Sequence, residues 1–564
     1  MAGNILTPSA IWNDFYIGDQ PVFEILSEKK DGDILFSRVK IDGRKVNGEK
    51  VQIFGVLAKG AHVSKVPAIL LAEDFVSGTD EKLIKALVKR GYAVLSVDLA
   101  GVADGKEDFT HYPSAISYSN YEQVKGKLYE VSGEATGTCW YEWACVLRYA
   151  LKYLAEQSFV TKVGVLGIGE AAAVAWQVAG SDPLLTCAVF ALNAGWIGYR
   201  GIYKFGGMVE PQFSDNMYKF IAGVDPQAYA MHVKCPVLVL SSTNSKLYDV
   251  DRAFDTVTRM DNAPFKAVHY SVGYRERVNG EAFQNALIFF EKFLQIGGAD
   301  KSSLPQEVEI KCELENKMLT IDVTPDDGDV KSVDLYASEE TYIPCERSWQ
   351  KVANVNKDGK IYKFTYAPNP YSGSATFFAL VTYSSGFVIG SSVVNKKFTV
   401  EEVSKTHKSK ILYSSRIHGA ESIFYPANEK DDNVSAINLS EKKKVKIKKG
   451  PMGIEGVGSK SGLLTFKFAA KKDTPPDGAM LMLDVYATQK GVFTVKLITD
   501  YFGNKTEYVA NVNLLGGEVW QNVKLDLNKF KTAEGMSLRN YGKINALEFD
   551  FGGNEFLINN ALWV

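Results

Sequence analysis

The chain has 564 residues, more than a single hydrophobic core organises, so several domains are expected. Its 46% hydrophobic and 23% charged residues are typical of an ordinary soluble globular protein, not of a disordered or membrane-spanning one. The net charge of −2 supplies no general attraction for nucleic acid or an anionic membrane, so we predict no nucleic-acid partner. No run in the sequence reaches the ~18 continuous apolar residues that a membrane helix needs, so no membrane insertion is expected.

Strands that alternate with helices are predicted over the first 300 residues. Runs of strand type occur at 34–39, 51–57, 67–72, 92–98, 163–168, 185–192, 236–240 and 265–272. Runs of helical period occur at 81–90, 139–157 and 282–294. Continuous apolar runs such as 67–72 are typical of strands buried on both faces of a parallel sheet. This alternation predicts a doubly wound, mostly parallel sheet.

One stretch of this region carries the most information about function. In Val163–Trp176 an apolar run ends at Gly167-Ile168-Gly169, and an alanine-rich run of helical spacing follows it and stops near Gly180. This pattern predicts a strand, a sharp turn and a helix. The third glycine of a dinucleotide-binding fingerprint is missing, so a nucleotide site is not expected there.

After a Gly/Ser-rich linker at 297–305 the pattern changes to short β-rich runs divided by turn residues. About seven strands are expected between residues 306 and 400, which suggests an immunoglobulin-like sandwich. A polar segment at 401–410 then leads to a region with no helical period, for which we predict a two-sheet jelly roll. The expected domains are therefore 1–300 (α/β), 301–402 and 403–564, the last two all-β sandwiches.

The cysteines, one lysine-rich run and the N-terminal residues each allow a prediction. The six cysteines are scattered with no Cys-x-x-Cys pair, so free thiols are expected and not a disulfide framework. The basic run 442–449 is interpreted as a half-exposed edge strand with a lysine face. Met1 to Ile11 lacks the signature of a secretory signal, which indicates a cytoplasmic location for the sequence as it stands, or an extracellular one if a leader has been removed.

The first 300 residues resemble the acetyl xylan esterase and cephalosporin deacetylase branch of the α/β-hydrolases. The similar stretches are Trp12–Phe15, Gly91–Asp98, Thr110–Pro113, Trp140–Ala144 and Cys235–Leu238. Residues 306–400 resemble the β-sandwich appended to some bacterial hydrolases of this kind. The C-terminal segments 520–527, 549–551 and 556–560 are similar to galactose-binding-type jelly rolls, the fold of many carbohydrate-binding modules.

This resemblance implies a catalytic triad of Ser, Asp and His, and the chain has a different residue at each of the three expected positions. The elbow Gly-x-Ser-x-Gly of the family has Gly169 in place of its serine. The acid is expected after the strand at 236–240, where the chain has Asn244 and Ser245. The histidine is expected after the last strand, where the chain has Tyr274 and Arg275. We therefore predict a catalytically inactive domain, with these residues at vestigial positions.

Four other polar residues of the first 300 residues have their own expected roles. Glu73 follows the strand at 67–72, where an acid would oppose a developing oxyanion. His269 lies inside the last strand, not after it. Glu170 could place a carboxylate in the old site, or could simply be a favourable first residue of a helix. Asp98 is expected to organise the loop that follows its strand.

A relocated nucleophile is the alternative to inactivity. Cys139, Cys145 and Ser245 are the candidates, although core packing explains the two cysteines better. The six histidines form no metal-binding pattern, so no cofactor is expected. A structural calcium in the jelly roll is the one exception left open, and Asp526 and Asp550 neither support nor exclude it.

Aromatic and amide residues at turns of the last domain suggest a sugar-binding surface. Tyr501, Phe502, Asn504 and Tyr541 are the predicted ligand residues, whereas Trp520 is expected in the core. Three functions are compatible with the whole sequence. They are polysaccharide or oligosaccharide binding, a structural or assembly role with the domains as interfaces and self-association, and a carbohydrate esterase with a relocated site. The first is favoured.

Overall fold

The computed structural model describes most of the chain. The described residues are 4–73, 75, 79–102, 108–206, 211–295, 304–339, 341–353, 355–368, 372–403, 411–418, 424–427, 437, 445–469, 473–475 and 478–564. Backbone contacts divide the chain into two compact units. The first consists of Met1–Glu307, Tyr383–Gly390 and Asn433–Ser440. The second consists of Val308–Thr382, Ser391–Asp432 and Glu441–Val564.

A nine-stranded mixed sheet forms the centre of the first unit. Its strands are β1 (Phe23–Asp31), β2 (Ile34–Val46), β3 (Glu49–Gly60), β4 (Val66–Ala72), β5 (Ala93–Val97), β6 (Val160–Ile168), β7 (Cys187–Ala191), β8 (Val237–Ser242) and β9 (Lys266–Ser271). Their order across the sheet is β1-β2-β3-β5-β4-β6-β7-β8-β9. The first four strands in this order pair antiparallel and the last six are parallel. The predicted α/β sheet is confirmed in its parallel part, from β5 to β9, whereas β1, β2 and β3 make the whole sheet mixed.

Helices connect these strands. They are α1 (Pro8–Trp12), α2 (Glu81–Val88), α3 (Tyr121–Val124), α4 (Cys139–Ala155), α5 (Glu170–Ala179), α6 (Asp215–Gly223), α7 (Pro226–Tyr229), α8 (Val250–Thr258) and α9 (Gly280–Leu294). Side chains of Asp80, Thr138 and Asn279 accept hydrogen bonds from the first turns of α2, α4 and α9. Such caps satisfy backbone N–H groups that have no partner inside the helix. In the described part of the chain, none of these helices is long and apolar enough to span a lipid bilayer.

Residues 383–390 belong to the first unit although they are distant in sequence from its helices and strands, and we call this segment the return of the chain. The side-chain amide of Asn285 on α9 donates to the Val388 carbonyl (2.7 Å) and accepts from the Val388 N–H (2.8 Å). The ring centroid of Phe387 lies 6.3 Å from that of Phe265. Residues distant in sequence therefore complete the unit beside α9 and β9.

Every described element after residue 307 is a strand or a short 3₁₀ turn. The strands are β10 (Val308–Glu315), β11 (Met318–Pro325), β12 (Val330–Glu339), β13 (Gln350–Val352), β14 (Val355–Asp358), β15 (Ile361–Tyr366), β16 (Ser374–Tyr383), β17 (Val388–Gly390), β18 (Val394–Lys397), β19 (Ile411–Ser414), β20 (Lys446–Lys449), β21 (Glu455–Gly458), β22 (Leu463–Thr465), β23 (Leu481–Ala487), β24 (Gly491–Thr499), β25 (Thr506–Leu514), β26 (Gln521–Leu525), β27 (Ile544–Asp550) and β28 (Phe556–Trp563).

These strands form several β-sheets in the second unit. One has the order β10-β11-β15-β14, and in another β13, β12 and β16 are neighbours while β18 pairs with β16. The C-terminal strands form a six-stranded sheet, in which β20-β21-β28-β23-β26 are neighbours and β19 pairs with β28, and a four-stranded sheet, β22-β27-β24-β25. Alternate residues of β23, such as Leu483 and Val485, are buried in one apolar core with Phe493 of β24. Of the edge strand predicted at 442–449, residues Lys446–Lys449 form β20 at the end of its sheet, and all four are exposed, not half-exposed; residues 442–444 lie outside the described residues.

Candidate functional site

The turn between β6 and α5 keeps the strained geometry predicted from the sequence. Gly169 has φ 58° and ψ −129°, a conformation that only glycine adopts without substantial strain. Gly167 allows the helix to approach the strand, because a Cβ there would lie 2.6 Å from the Ala175 Cβ. The elbow is therefore formed, but its apex carries no side chain that could attack a substrate.

Beside this elbow, a cluster of polar side chains surrounds the first residue of α5. The Tyr129 hydroxyl donates to Glu170 Oε1, and Arg200 Nη2 lies 3.6 Å from the same oxygen. The Arg200 guanidinium also stacks on Tyr129, 4.4 Å from the ring centroid. Burial disfavours the charge of Arg200, but Tyr129 and Glu170 keep its pKa above the ordinary value. Glu170 thus takes part in an ion pair in addition to favouring the helix N-terminus.

The loops after β8 and β9 meet at the carboxyl edge of the sheet, where the family resemblance implies an acid and a histidine. The Asn244 N–H donates to the Tyr274 carbonyl (3.0 Å), and the Ser242 hydroxyl donates to the Arg275 carbonyl. The fold therefore brings these two regions together. The bonds between them in this pairing are backbone and hydroxyl contacts, not a carboxylate–imidazole pair.

A serine–glutamate contact ties the same loops together. The Ser245 hydroxyl donates to Glu276 Oε2 (2.6 Å), and the Lys246 N–H donates to Glu276 Oε1 (2.7 Å). Ser245 Oγ also accepts from the backbone of Leu247 and Tyr248. Burial raises the pKa of Glu276 above its ordinary value despite these bonds. Glu276 was not predicted as a site residue, although it is the first acid after the vestigial histidine region.

His269 is not positioned as the general base that the family resemblance implies after the last strand. It lies within β9, is fully buried, and its Nδ1 is 3.4 Å from the Val388 carbonyl oxygen. Burial lowers the pKa of His269 to about 4, which keeps the ring neutral at ordinary pH. A base that activates a serine must form a hydrogen bond with it. The other contacts of His269 are at the start of α9, with Asn279 and with Glu281, whose Oε2 lies 3.9 Å from the His269 Nε2.

The acid that follows β4 points inward. Glu73 is buried and accepts hydrogen bonds from the Ser96 hydroxyl (2.7 Å) and the Asp80 N–H (2.6 Å). Burial raises the pKa of Glu73 to about 7. Since Asp80 caps α2, Glu73 secures the start of that helix. Asp98 organises its loop as predicted, because its carboxylate accepts from the backbone N–H groups of Gly101 and Thr110.

The cysteines proposed as relocated nucleophiles lie in the core. Cys139 and Cys145 are buried on α4, and burial raises the pKa of both thiols far above the ordinary value. A reactive thiol needs the opposite shift. All six cysteines are free, as expected. Across the described stretches, no group of three or more His, Cys, Asp or Glu side chains could hold a metal ion. Asp526 caps a 3₁₀ turn, and the structural calcium stays a prediction.

The predicted sugar-binding residues occupy different environments. Tyr501 and Phe502 are half-buried and pack on Phe466, with ring centroids 5.1 and 5.2 Å from it. Asn504 is exposed, and its backbone N–H donates to Asp500. Tyr541 was wrongly predicted as a surface residue, since it is only 2% exposed and its hydroxyl donates to the Ala479 carbonyl.

Trp520 was wrongly predicted as core, because it lies half-exposed on the outer face of the six-stranded sheet. Its ring centroid is 5.7 Å from that of Tyr486, and its indole N–H donates to the Pro451 carbonyl (3.3 Å). Two glycines make room for the indole. A Cβ would lie 2.8 Å from it at Gly450 and 2.9 Å at Gly456.

A row of polar side chains crosses the sheet beside these rings. Asp484 lies between Asn522 of β26 and Asn560 of β28 in the strand register. Both amides donate to its carboxylate at 2.9 Å. Asp484 and Tyr486 share one face of β23 because they are two residues apart. We call Trp520, Tyr486, Asp484, Asn522 and Asn560 the sheet-face cluster.

Comparisons with known proteins give only distant resemblances. No family model and no curated protein matches the chain. An acetyl xylan esterase from Paenibacillus sp. R4 is 13% identical, over 51% of this chain and 92% of that one, with a TM-score of 0.40. A cold-adapted esterase from an Arctic intertidal metagenomic library is 16% identical, over 48% and 97%, with a TM-score of 0.33. Acetyl xylan esterase 1 from Thermoanaerobacterium sp. JW/SL YS485 is 12% identical, over 47% and 84%, with a TM-score of 0.33.

Proposed function

We propose that the chain is a catalytically inactive relative of the acetyl xylan esterases that binds carbohydrate through its C-terminal region. The observation that carries the first half is Gly169, which occupies the apex of a formed elbow without a side chain. Hydrolysis by this fold needs a nucleophile there. The buried His269 also supports inactivity, since burial keeps its ring neutral and its Nδ1 lies at the Val388 carbonyl, not at a serine hydroxyl.

Inactivity is tested with the purified full chain on an aryl acetate and on acetylated xylan. We expect no hydrolysis above the rate without protein, and none in Gly169→Ser, because an unassisted serine is a weak nucleophile. Ser245→Ala and Cys139→Ala serve as controls. Turnover that either substitution abolishes would contradict the proposal and support an esterase with a relocated site.

We assign the C-terminal strands to a galactose-binding-type jelly roll and those at 308–397 to an immunoglobulin-like sandwich. The sheet-face cluster is the part of the jelly roll whose chemistry suits a sugar. Aromatic rings offer apolar faces for the C–H side of a pyranose, and amides and carboxylates pair with hydroxyls. Trp520 and Tyr486 are half-exposed beside Asp484, whose two amide partners hold it in place.

Affinity electrophoresis of the full chain in gels with xylan, pectin or mannan tests the second half. We expect retardation on at least one polysaccharide, and a loss of at least about tenfold in affinity for Trp520→Ala. Tyr501→Ala is the matched comparison, because Tyr501, Phe502 and Asn504 form the competing surface at a turn. Loss of binding in Tyr501→Ala alone would move the site to that turn. No retardation of the wild type on any gel would contradict carbohydrate binding by this region.

A further inference from the structure

Strand β1 is an exposed edge of the nine-stranded sheet. It pairs only with β2 in the strand order, and all nine of its residues are exposed. Phe23, Ile25 and Leu26, with the preceding Val22, form a run of exposed large hydrophobic side chains. An edge strand presents unpaired backbone N–H and C=O groups, and natural sheets usually shield such edges. The apolar first half of this edge, which has no strand beyond it in the strand order, is therefore suited to pairing with another strand.

A β-bulge in this strand places opposite charges on one face. Glu24 lies opposite Lys40 of β2 and Lys29 lies opposite Phe36, whereas the register shifts at Leu26. Lys40 and Phe36 are four residues apart and share a face of β2, so Glu24 and Lys29 also share a face. Without the bulge, their odd spacing would place them on opposite faces.

We propose that β1 is a self-association surface, at which it pairs antiparallel with β1 of a second copy about a twofold axis. In one register, Glu24 faces the partner's Lys29 on the same side of the joined sheet. The symmetry repeats this pair, so two ion pairs form. On the other face, Phe23 packs against the aliphatic stem of the partner's Lys30. A twofold axis requires a surface complementary to itself, and the charge order of β1 meets this requirement.

A second copy fits this edge better than an unrelated strand for two reasons. Glu24 and Lys29 are both exposed and share one face of the strand, so both are accessible to a second copy. Lys29 favours an incoming strand that places an acid opposite it, and Glu24 of a second copy supplies that acid. This inference is independent of the proposed carbohydrate binding, because no residue of the sheet-face cluster takes part.

The oligomeric state of the full chain tests the proposal by sedimentation equilibrium. We expect a concentration-dependent species of twice the 62.2 kDa chain mass. Ile25→Glu should raise the dissociation constant at least about tenfold, since Ile25 lies opposite the partner's Glu28 in this register and like charges would then face each other. Val492→Glu is the matched control and should change nothing, because Val492 is 52% exposed against 51% for Ile25 and lies on β24. A wild type that is monomeric at roughly 100 µM would overturn the proposal.

Charge exchange tests the register separately. Glu24→Lys or Lys29→Glu alone should weaken the dimer about threefold to tenfold, because like charges then face each other. The double variant should recover wild-type association, since it restores both pairs with the signs reversed. Equal weakening by Ile25→Glu and Val492→Glu, or a double charge-exchange variant as weak as the sum of the single ones, would exclude pairing through β1 in this register. Unchanged circular dichroism spectra confirm that each variant is folded.

Discussion

Two polar regions of this chain differ in how far their side chains are exposed to solvent. At the carboxyl edge of the first unit's sheet, Glu170 is held by Tyr129 and Arg200, and Glu276 is held by Ser245. On the sheet face of the second unit, Asp484 is held by two amides, but the rings beside it stay half-exposed. In the first region the side chains stabilise loops. In the second they leave a surface on which a ligand could lie.

The contrast between core and surface aromatics of the second unit predicts the largest effect. Tyr541→Ala should lower the free energy of unfolding by about 3–5 kcal/mol, because it empties a packed position. Trp520→Ala should cost about 1–2 kcal/mol, since its indole is already partly in water. Guanidinium unfolding followed by circular dichroism measures both. Equal losses would mean that Trp520 is a structural residue and would weaken its proposed role in binding.

The buried carboxyl of Glu73 predicts a pH dependence in the first unit. Its folded pKa, about 7, lies above the ordinary 4.5, so the folded state binds the proton more tightly. Stability should therefore fall as pH rises from 4.5 to 7, by on the order of 3 kcal/mol. Glu73→Gln should remove this part of the slope, whereas the exposed Glu81→Gln should not. Burial also raises the pKa of Asp225 to about 7, so a slope of the same sign should remain.

The elbow predicts a smaller effect, which tests whether its strain is real. Gly169→Ser should destabilise the first unit by about 1–3 kcal/mol, because a side chain is unfavourable at these dihedral angles. Gly133→Ser is the control, since a Cβ there meets nothing within 4 Å and the φ angle is not positive. Thermal unfolding of both variants would decide the point. A neutral Gly169→Ser would show that the turn relaxes easily.

The link between the loops that follow β8 and β9 predicts the smallest effect. Ser245→Ala and Glu276→Gln should each cost about 1–2 kcal/mol, because each leaves a partly buried polar group without its partner. The double variant should cost less than the sum of the two, since both single changes break one contact. Additive losses in the double-mutant cycle would mean that Ser245 and Glu276 act independently.

Much of the first unit could be predicted from sequence because strong local patterns agree with its fold. The runs at 67–72 and 139–157 became β4 and α4 nearly as expected. Strand β1 was missed, since its residues are exposed on both faces and show no alternation. Such a strand depends on its pairing with β2, which no local pattern encodes.

The sites were harder to predict because they depend on pairing between distant residues. The Ser245–Glu276 contact joins residues 31 apart in sequence and follows from the loops of adjacent strands. Trp520, in contrast, could have been placed correctly. It has the same parity as Asn522 and the opposite parity to Val523, so alternation puts it on the outer face. Tyr541 follows no strand pattern, and only the three-dimensional packing reveals its burial.

The return of the chain at residues 383–390 determines which gene segment could transfer a complete folded unit of this protein. Asn285 offers its amide to the Val388 backbone as a neighbouring strand would, and His269 points its Nδ1 at the same carbonyl. A gene segment that ends at residue 300 would encode both side chains without the backbone that they recognise. The first folded unit therefore does not correspond to one continuous stretch of sequence. Recombination that exchanges only residues 1–300 would not transfer the complete unit.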